Sequence, residues 1–219
     1  HPDQHAACRF PGRTLWAKRH GLWTPASIQC PKLETFRRRI GAQSVSLVFS
    51  SYFLNNPSSA FGHTFLRLNR EKSELTGERY ELLDYGFNYA ANMTTSNPIL
   101  YAWYGIAGGF QGIFTTIPYY YKVREYNDFE SRDLWSYDLN LTTEQMEILV
   151  AHLWDLGQTS FDYYYLTENC SYHMLTALDV AEPRLKLSDR TAYWVIPSDT
   201  LKLVTETPDL SRWPHFRPS

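Results

Sequence analysis

FDYYYLTENCSYHMLTALDVAE, residues 161–182, sets a cysteine at the junction of two kinds of local structure. Its aromatic opening reads as an extended segment, because large flat side chains pack well on a pleated surface. The apolar spacing after Asn169 is helical, and Asn is a favoured N-cap. The stretch therefore predicts a helix beginning near Asn169 with Cys170 in its first turn. A thiol attacks only as its thiolate, and the partial positive charge of a helix N-terminus favours that form. The same amides, with Asn169 beside them, are placed to face the oxyanion formed when a carbonyl is attacked. The competing reading of Cys170 is a small buried hydrophobe on an amphipathic helix.

Working upstream, Thr142 and Gln145 form a capping box that opens a helix through about Leu156, and LWSYDLNL before it alternates as a strand. SVSLVFSSYF (residues 44–53), HTFLRLNR (63–70) and RYELLDYGFNY (79–89) alternate in the same way. The last two predict an antiparallel hairpin turning near Ser73 to Gly77. A short helix is expected from Pro31 to Arg39 and another from Pro197 to about Thr205. The pattern is that of an α+β domain with an antiparallel sheet packed against the cysteine-bearing helix. Residues 1–43 read as a basic, irregular wrap and residues 44–219 as the core, within a single domain.

A thiolate needs a base, and seven histidines are present. His1, His5 and His20 lie in the wrap, His215 in the tail, and His152 in an amphipathic helix with solvent as its simplest neighbour. His63 opens a strand immediately after Gly62, where a glycine lets another group approach closely. His173, three residues beyond Cys170, lies on the same side of the helix and is the other candidate, either as base or as site wall. His63 is preferred, since papain-like sites place the base on a sheet facing the cysteine helix. A Cys-x-x-His zinc site at Cys170 and His173 lacks a second ligand cluster.

Hydrophobic and aromatic fractions of 43% and 16% put the chain among folded globular proteins and exclude disorder. Net charge is −2, yet residues 1–43 carry eight Lys or Arg against Asp3 and Glu34. That asymmetry fits an anionic surface such as lipid headgroups, or simply a solvated helix face through Arg37, Arg38 and Arg39. Nothing points to nucleic acid. Residues 85–121 hold no formal charge at all, and their glycines and Pro118 argue against a spanning helix. They read as core lining or as a surface resting on something apolar. Of the three cysteines, Cys8 and Cys30 flank one segment and Cys170 stands apart. If the first two pair, the compartment is oxidising and Cys170 is the odd thiol; otherwise three reduced thiols are buried in a cytosolic protein. No run of about 20 apolar residues and no secretory leader occurs, so a soluble, mature-like form is expected. The ending WPHFRPS, without cap or polar tail, gives the expectation of a piece cut from a longer parent.

SSAFGHTFLRL (residues 58–68) and ENCSYHML (168–175) resemble the hallmark segments of the Lnb N-terminal periplasmic domain family. CRFPGR (8–13), the Cys30–Pro31 pair, FNYAA (87–91) and YNDFESRDLW (126–135) are similar to further segments of that family. The order, histidine first and cysteine much later, resembles the circularly permuted NlpC-type papain-like fold that includes lecithin:retinol acyltransferase. The resemblance implies a thiol enzyme outside the cytoplasm. Its best-defined members move an acyl chain from a lipoprotein's own diacylglyceryl group onto its N-terminal amine. Carried over, the nucleophile falls on Cys170 and the base on His63, with no metal or organic cofactor and a lipid or lipoprotein as acyl donor. For the group that orients the imidazole, the hairpin register points to Asp84 or Tyr85, and the resemblance points to Asn88. Ser58 and Ser59 could bind a substrate carbonyl or merely make a turn. Glu130 and Arg132 read as a structural ion pair. Cell-wall peptidase or amidase chemistry and a non-catalytic periplasmic binding or scaffold module are the competing functions.

Overall fold

His63–Asn69 (β2) is buried at every position, so both faces of this strand need cover. The computed structural model describes residues 2–24, 26–53, 60–73, 76–191 and 193–219. β2 is the middle strand of a sheet that also contains β1 (Ser44–Ser50), β3 (Tyr85–Asn92), β4 (Phe110–Pro118), β5 (Leu134–Leu139), β6 (Ser160–Tyr163) and β7 (His215–Arg217). Among the described residues the order is β6-β4-β3-β2-β1-β5-β7, and every neighbouring pair is antiparallel.

Alternation along the strands sorts the side chains onto two faces. Val45, Leu47, Leu66, Leu68, Phe87 and Phe114 meet three helices: α3 (Pro31–Ile40), α6 (Thr143–Leu156) and α7 (Cys170–Ala181). On the opposite face Val48, Phe65 and Leu134 pack with Tyr119 of α5 (Tyr119–Val123) and with Tyr126. Toward the far end of β2 that face is polar. Arg67 is fully buried there, 2.9 Å from Asn69, 3.2 Å from Glu81 and 3.7 Å from Asp84. The α+β class, the capping box of α6 and the start of α7 are as the sequence indicates.

Two readings need correction. The strand expected over residues 79–89 begins only at Tyr85. Glu81–Leu83 form a 3-10 turn, and the polar residues around it serve the buried Arg67 rather than an alternating face. The N-terminal wrap is largely helical, with α1 (Ala6–Arg9) and α2 (Pro11–Arg19). α2 has almost no apolar stripe, which hid it from pattern reading; a tertiary contact holds it instead. The carboxylate of Asp155 on α6 accepts from the amides of Gly12 at 3.1 Å and Arg13 at 3.0 Å, capping the α2 N-terminus. A Cβ on Gly12 would lie 2.8 Å from the Cα of His152, so only glycine allows the approach. His152, expected to face solvent, is therefore half-buried at this contact, and burial pulls its pKa down to about 4. Cys8 and Cys30 form a disulfide that closes the segment.

The uncharged stretch makes β3, β4 and, between them, α4 (Pro98–Ala107), which leaves Ile99, Trp103 and Ile106 exposed. No described helix is long and apolar enough to cross a membrane.

Candidate active site

Asn169 shapes the site by capping α7. Its Oδ1 accepts from the amides of Ser171 and Tyr172, and its Nδ2 donates to the carbonyls of Tyr165 at 2.9 Å and Val195 at 2.6 Å. Both amide hydrogens are thus engaged. The sequence placed Asn169 at the oxyanion; the structure makes it a positioning residue that ties the helix end to two loops. Cys170 follows as the first helical residue, 4% exposed, and is the free cysteine of the chain.

His63 arrives from β2. Gly62 before it has φ +89°, and a Cβ there would sit 2.7 Å from the carbonyl oxygen of Ser50 and 2.5 Å from the Phe49 ring. Glycine is required on both counts, as its place before a strand-opening histidine implied. The β2–β3 ladder runs only from Leu68/Tyr85 to Leu66/Phe87, so at His63 the two strands are no longer paired. The His63 imidazole lies near enough to the Cys170 thiol there to favour the thiolate. Its Nε2–H donates to Oδ1 of Asn88, which leaves Nδ1 as the basic nitrogen.

Burial of Cys170 opposes ionisation, but the nearby His63 imidazole and hydrogen bonding from Thr64 outweigh it. The thiol pKa falls from 9.0 to about 7. Thr64, unnoticed in the sequence, has its hydroxyl 3.9 Å from the Cys170 sulfur and 3.0 Å from that of Ser171. Its one signal was its position two residues before Leu66 on the helix-facing side of β2.

A model of the family described as the Lnb N-terminal periplasmic domain matches residues 32–207. The chain belongs to this family. No curated protein and no solved structure matches it. As an Lnb N-terminal periplasmic domain it belongs on the outer side of a bacterial cytoplasmic membrane, consistent with the Cys8–Cys30 disulfide. Cys170 and His63 both fall inside the matched region, whereas CRFPGR and both disulfide cysteines precede it.

The remaining candidates of this Lnb-type domain sort clearly. Asp84 lies beyond the Leu68/Tyr85 end of the ladder, the end away from His63: it accepts from the Arg70 amide at 2.8 Å and faces Arg67, so it does not orient His63. Tyr85 lies under the Arg39 guanidinium, 5.7 Å away, and is not the orienting group either. His173 turns from the thiol into a ring cage of Tyr89, Phe114 and Phe161, at centroid distances of 4.1, 5.3 and 5.2 Å. Burial lowers its pKa to about 4, and among the described residues its Nε2 has no hydrogen-bond partner. It is a neutral wall residue rather than a base or an oxyanion donor. Ser58 and Ser59 lie outside the described residues. The Glu130–Arg132 ion pair is present at 2.8 Å.

Above Cys170 runs a narrow slot between Phe61, Tyr165, Ile196 and Pro197. Through Tyr163 and Tyr165 it adjoins a cavity of about 500 Å³ whose wall is mostly apolar, with Ala91, Ala102, Gly105, Ile106 and Phe110 among its residues. α4 forms one side of that cavity, which gives the uncharged stretch a role beyond core filling.

Proposed function

We propose that the chain is a cysteine-dependent acyl-transfer enzyme of the bacterial envelope, built as a permuted papain-like (NlpC-type) domain and using a lipid or lipoprotein as acyl donor. The chain order supports that architecture: the base comes first, on a central strand, and the nucleophile later, at a helix N-terminus.

Nδ1 of His63 takes the Cys170 proton, and the sulfur attacks the carbonyl carbon of an ester or amide. The tetrahedral oxyanion collapses, the alcohol or amine leaves with the proton returned by His63, and a thioester remains on Cys170. An amine or water, deprotonated by His63, then displaces the sulfur and frees the thiol. Because Asn169 holds the amides of Ser171 and Tyr172, the Cys170 amide is the first-turn donor that remains for the oxyanion. The reaction needs no metal or organic cofactor.

The observation that carries the lipid reading is the apolar cavity beside the slot, which shares Tyr163 and Tyr165 with it. Ligand sites commonly span about 300–1,000 Å³, and this wall offers hydrocarbon contact rather than partners for sugars or charged peptides. Exposed Arg37, Arg38 and Arg39 on α3 would suit anionic headgroups. The narrowness of the slot is what favours the competing cell-wall peptidase reading.

Intact-mass analysis after incubation with diacyl lipoprotein, phospholipid or peptidoglycan fragments tests this. A long-chain acyl adduct on Cys170 is expected, and Ala102→Trp in the cavity wall should block long acyl chains more than short ones. A peptidoglycan-derived adduct would transfer the assignment to cell-wall chemistry. No adduct, together with no selective alkylation of Cys170 over denatured protein, would leave a non-catalytic module.

A further inference from the structure

The segment YNDFESRDLW, residues 126–135, has no part in the reaction as written, yet it lies against the base. Its first residue sits in a π-helical turn, Arg124–Phe129, a wide and uncommon turn that often marks functional sites. There Tyr126 is almost fully buried. Its ring centroid is 6.2 Å from that of His63 and 6.0 Å from that of Phe65.

Two buried cations hold the tyrosine. Lys122, one turn earlier, donates to its hydroxyl at 3.2 Å and is itself paired with Glu125 at 2.8 Å. The Arg132 guanidinium lies 4.7 Å from the ring centroid, within cation–π range. Arg132 also reaches the strand that carries His63's neighbour. It donates to the Ser50 hydroxyl at 2.6 Å and to the Ser51 carbonyl at 2.6 Å, and Glu130 pairs with it at 2.8 Å. Ser50 is the residue paired with His63 in the β1–β2 register. One guanidinium thus joins the ring beside the imidazole to the backbone opposite it.

From this arrangement we infer that Tyr126 is a positioning residue for His63, locked by Arg132 and Lys122 so that the imidazole keeps its place between the Cys170 thiol and Asn88. The inference rests on the Cys170–His63 reading. Glu130 and Arg132 are then more than a structural ion pair: they anchor the ring that backs the base. A salt bridge needed only for stability would require neither the contact with Tyr126 nor the bonds to Ser50 and Ser51.

Cys170 is the free thiol, so its alkylation by iodoacetamide reports the imidazole–thiol contact without any knowledge of the substrate. Rates are measured against pH in the full chain for wild type, His63→Ala, Tyr126→Leu and Tyr126→Phe, with thermal unfolding in parallel. Wild type should show a midpoint near 7, and His63→Ala should move it toward the ordinary 9.0. Tyr126→Leu should move it in the same direction by a large part of that interval, and Tyr126→Phe, which keeps the ring, should restore it. If Tyr126→Leu lacks a wild-type-like unfolding transition, Tyr126→Met, which refills the volume with a flexible chain, carries the same comparison. A midpoint that shifts in His63→Ala but not in a folded Tyr126 variant overturns this inference alone. A midpoint unmoved in His63→Ala overturns the Cys170–His63 reading itself.

Discussion

Asn88 receives the Nε2–H of His63 on its side-chain oxygen, although the β2–β3 ladder ends at Leu66/Phe87 and, continued one step, would set Asn88 against Phe65 rather than His63. The bond is diagonal, made on the sheet face that both side chains share, at the point where β2 and β3 have stopped pairing. It selects the tautomer that presents Nδ1 to the thiol. Asn88→Ala should lower kcat by somewhat less than the about 10²–10⁴-fold that general acid–base catalysis provides, with KM little changed. Steady-state kinetics on an acyl ester would show this, and an unaltered kcat would remove Asn88 from the site.

In the proposed reaction the thiolate is the acting species, so kcat/KM should rise with pH through about 7 and lose that limb in the acid direction. The folded pKa lies below the ordinary value of 9.0, so the linked stability is present above 9.0 and is lost as pH falls through about 7. A pH–rate profile whose acid limb lies near 9 would contradict the placement of His63 beside the sulfur.

Acid should weaken the fold through His173. Its folded pKa of about 4 is below the ordinary 6.5, so between these values the unfolded chain binds a proton that the folded chain refuses. Stability is therefore full above 6.5 and declines as pH drops toward 4, by on the order of 3 kcal/mol in total. His152 acts in the same direction. Asp155, raised by burial to about 6 against the pull of the Gly12 and Arg13 amides, acts in the opposite one. His173→Phe should flatten the decline without loss at neutral pH, since the imidazole sits among aromatic rings. Urea unfolding at pH 7 and pH 5 measures both effects; an equally steep decline in the variant would refute the assignment.

Gly62→Ala should destabilise the fold by about 1–3 kcal/mol, because φ +89° suits no side chain and a methyl would meet Ser50 and Phe49. It should also lower kcat at temperatures where the variant is fully folded, because His63 is the next residue. A variant with reduced melting temperature but wild-type kcat would separate the turn from the base.

Much of this was legible in one dimension because it depends on neighbours in the chain. The period-2 runs located β1, β2 and β5, the Thr142–Gln145 box opened α6, and Asn169 before an apolar helical pattern marked Cys170 as a first-turn thiol. Gly62 before His63 signalled a close approach whose partner only the fold could name.

What the chain could not state locally concerned residues whose environment comes from elsewhere. α2 has no apolar face of its own and exists where Asp155 caps it from 142 residues away. His173 was a rival base until the fold enclosed it in aromatic rings, and Asp84 was a rival orienting group until the fold set it against a buried arginine. Asn169 offered amide donors on paper and has them occupied by Tyr165 and Val195 in space. Local backbone preference and side-chain periodicity are properties of a segment. Burial, pKa and the choice of hydrogen-bond partner belong to the packed whole, and only tertiary structure decides them.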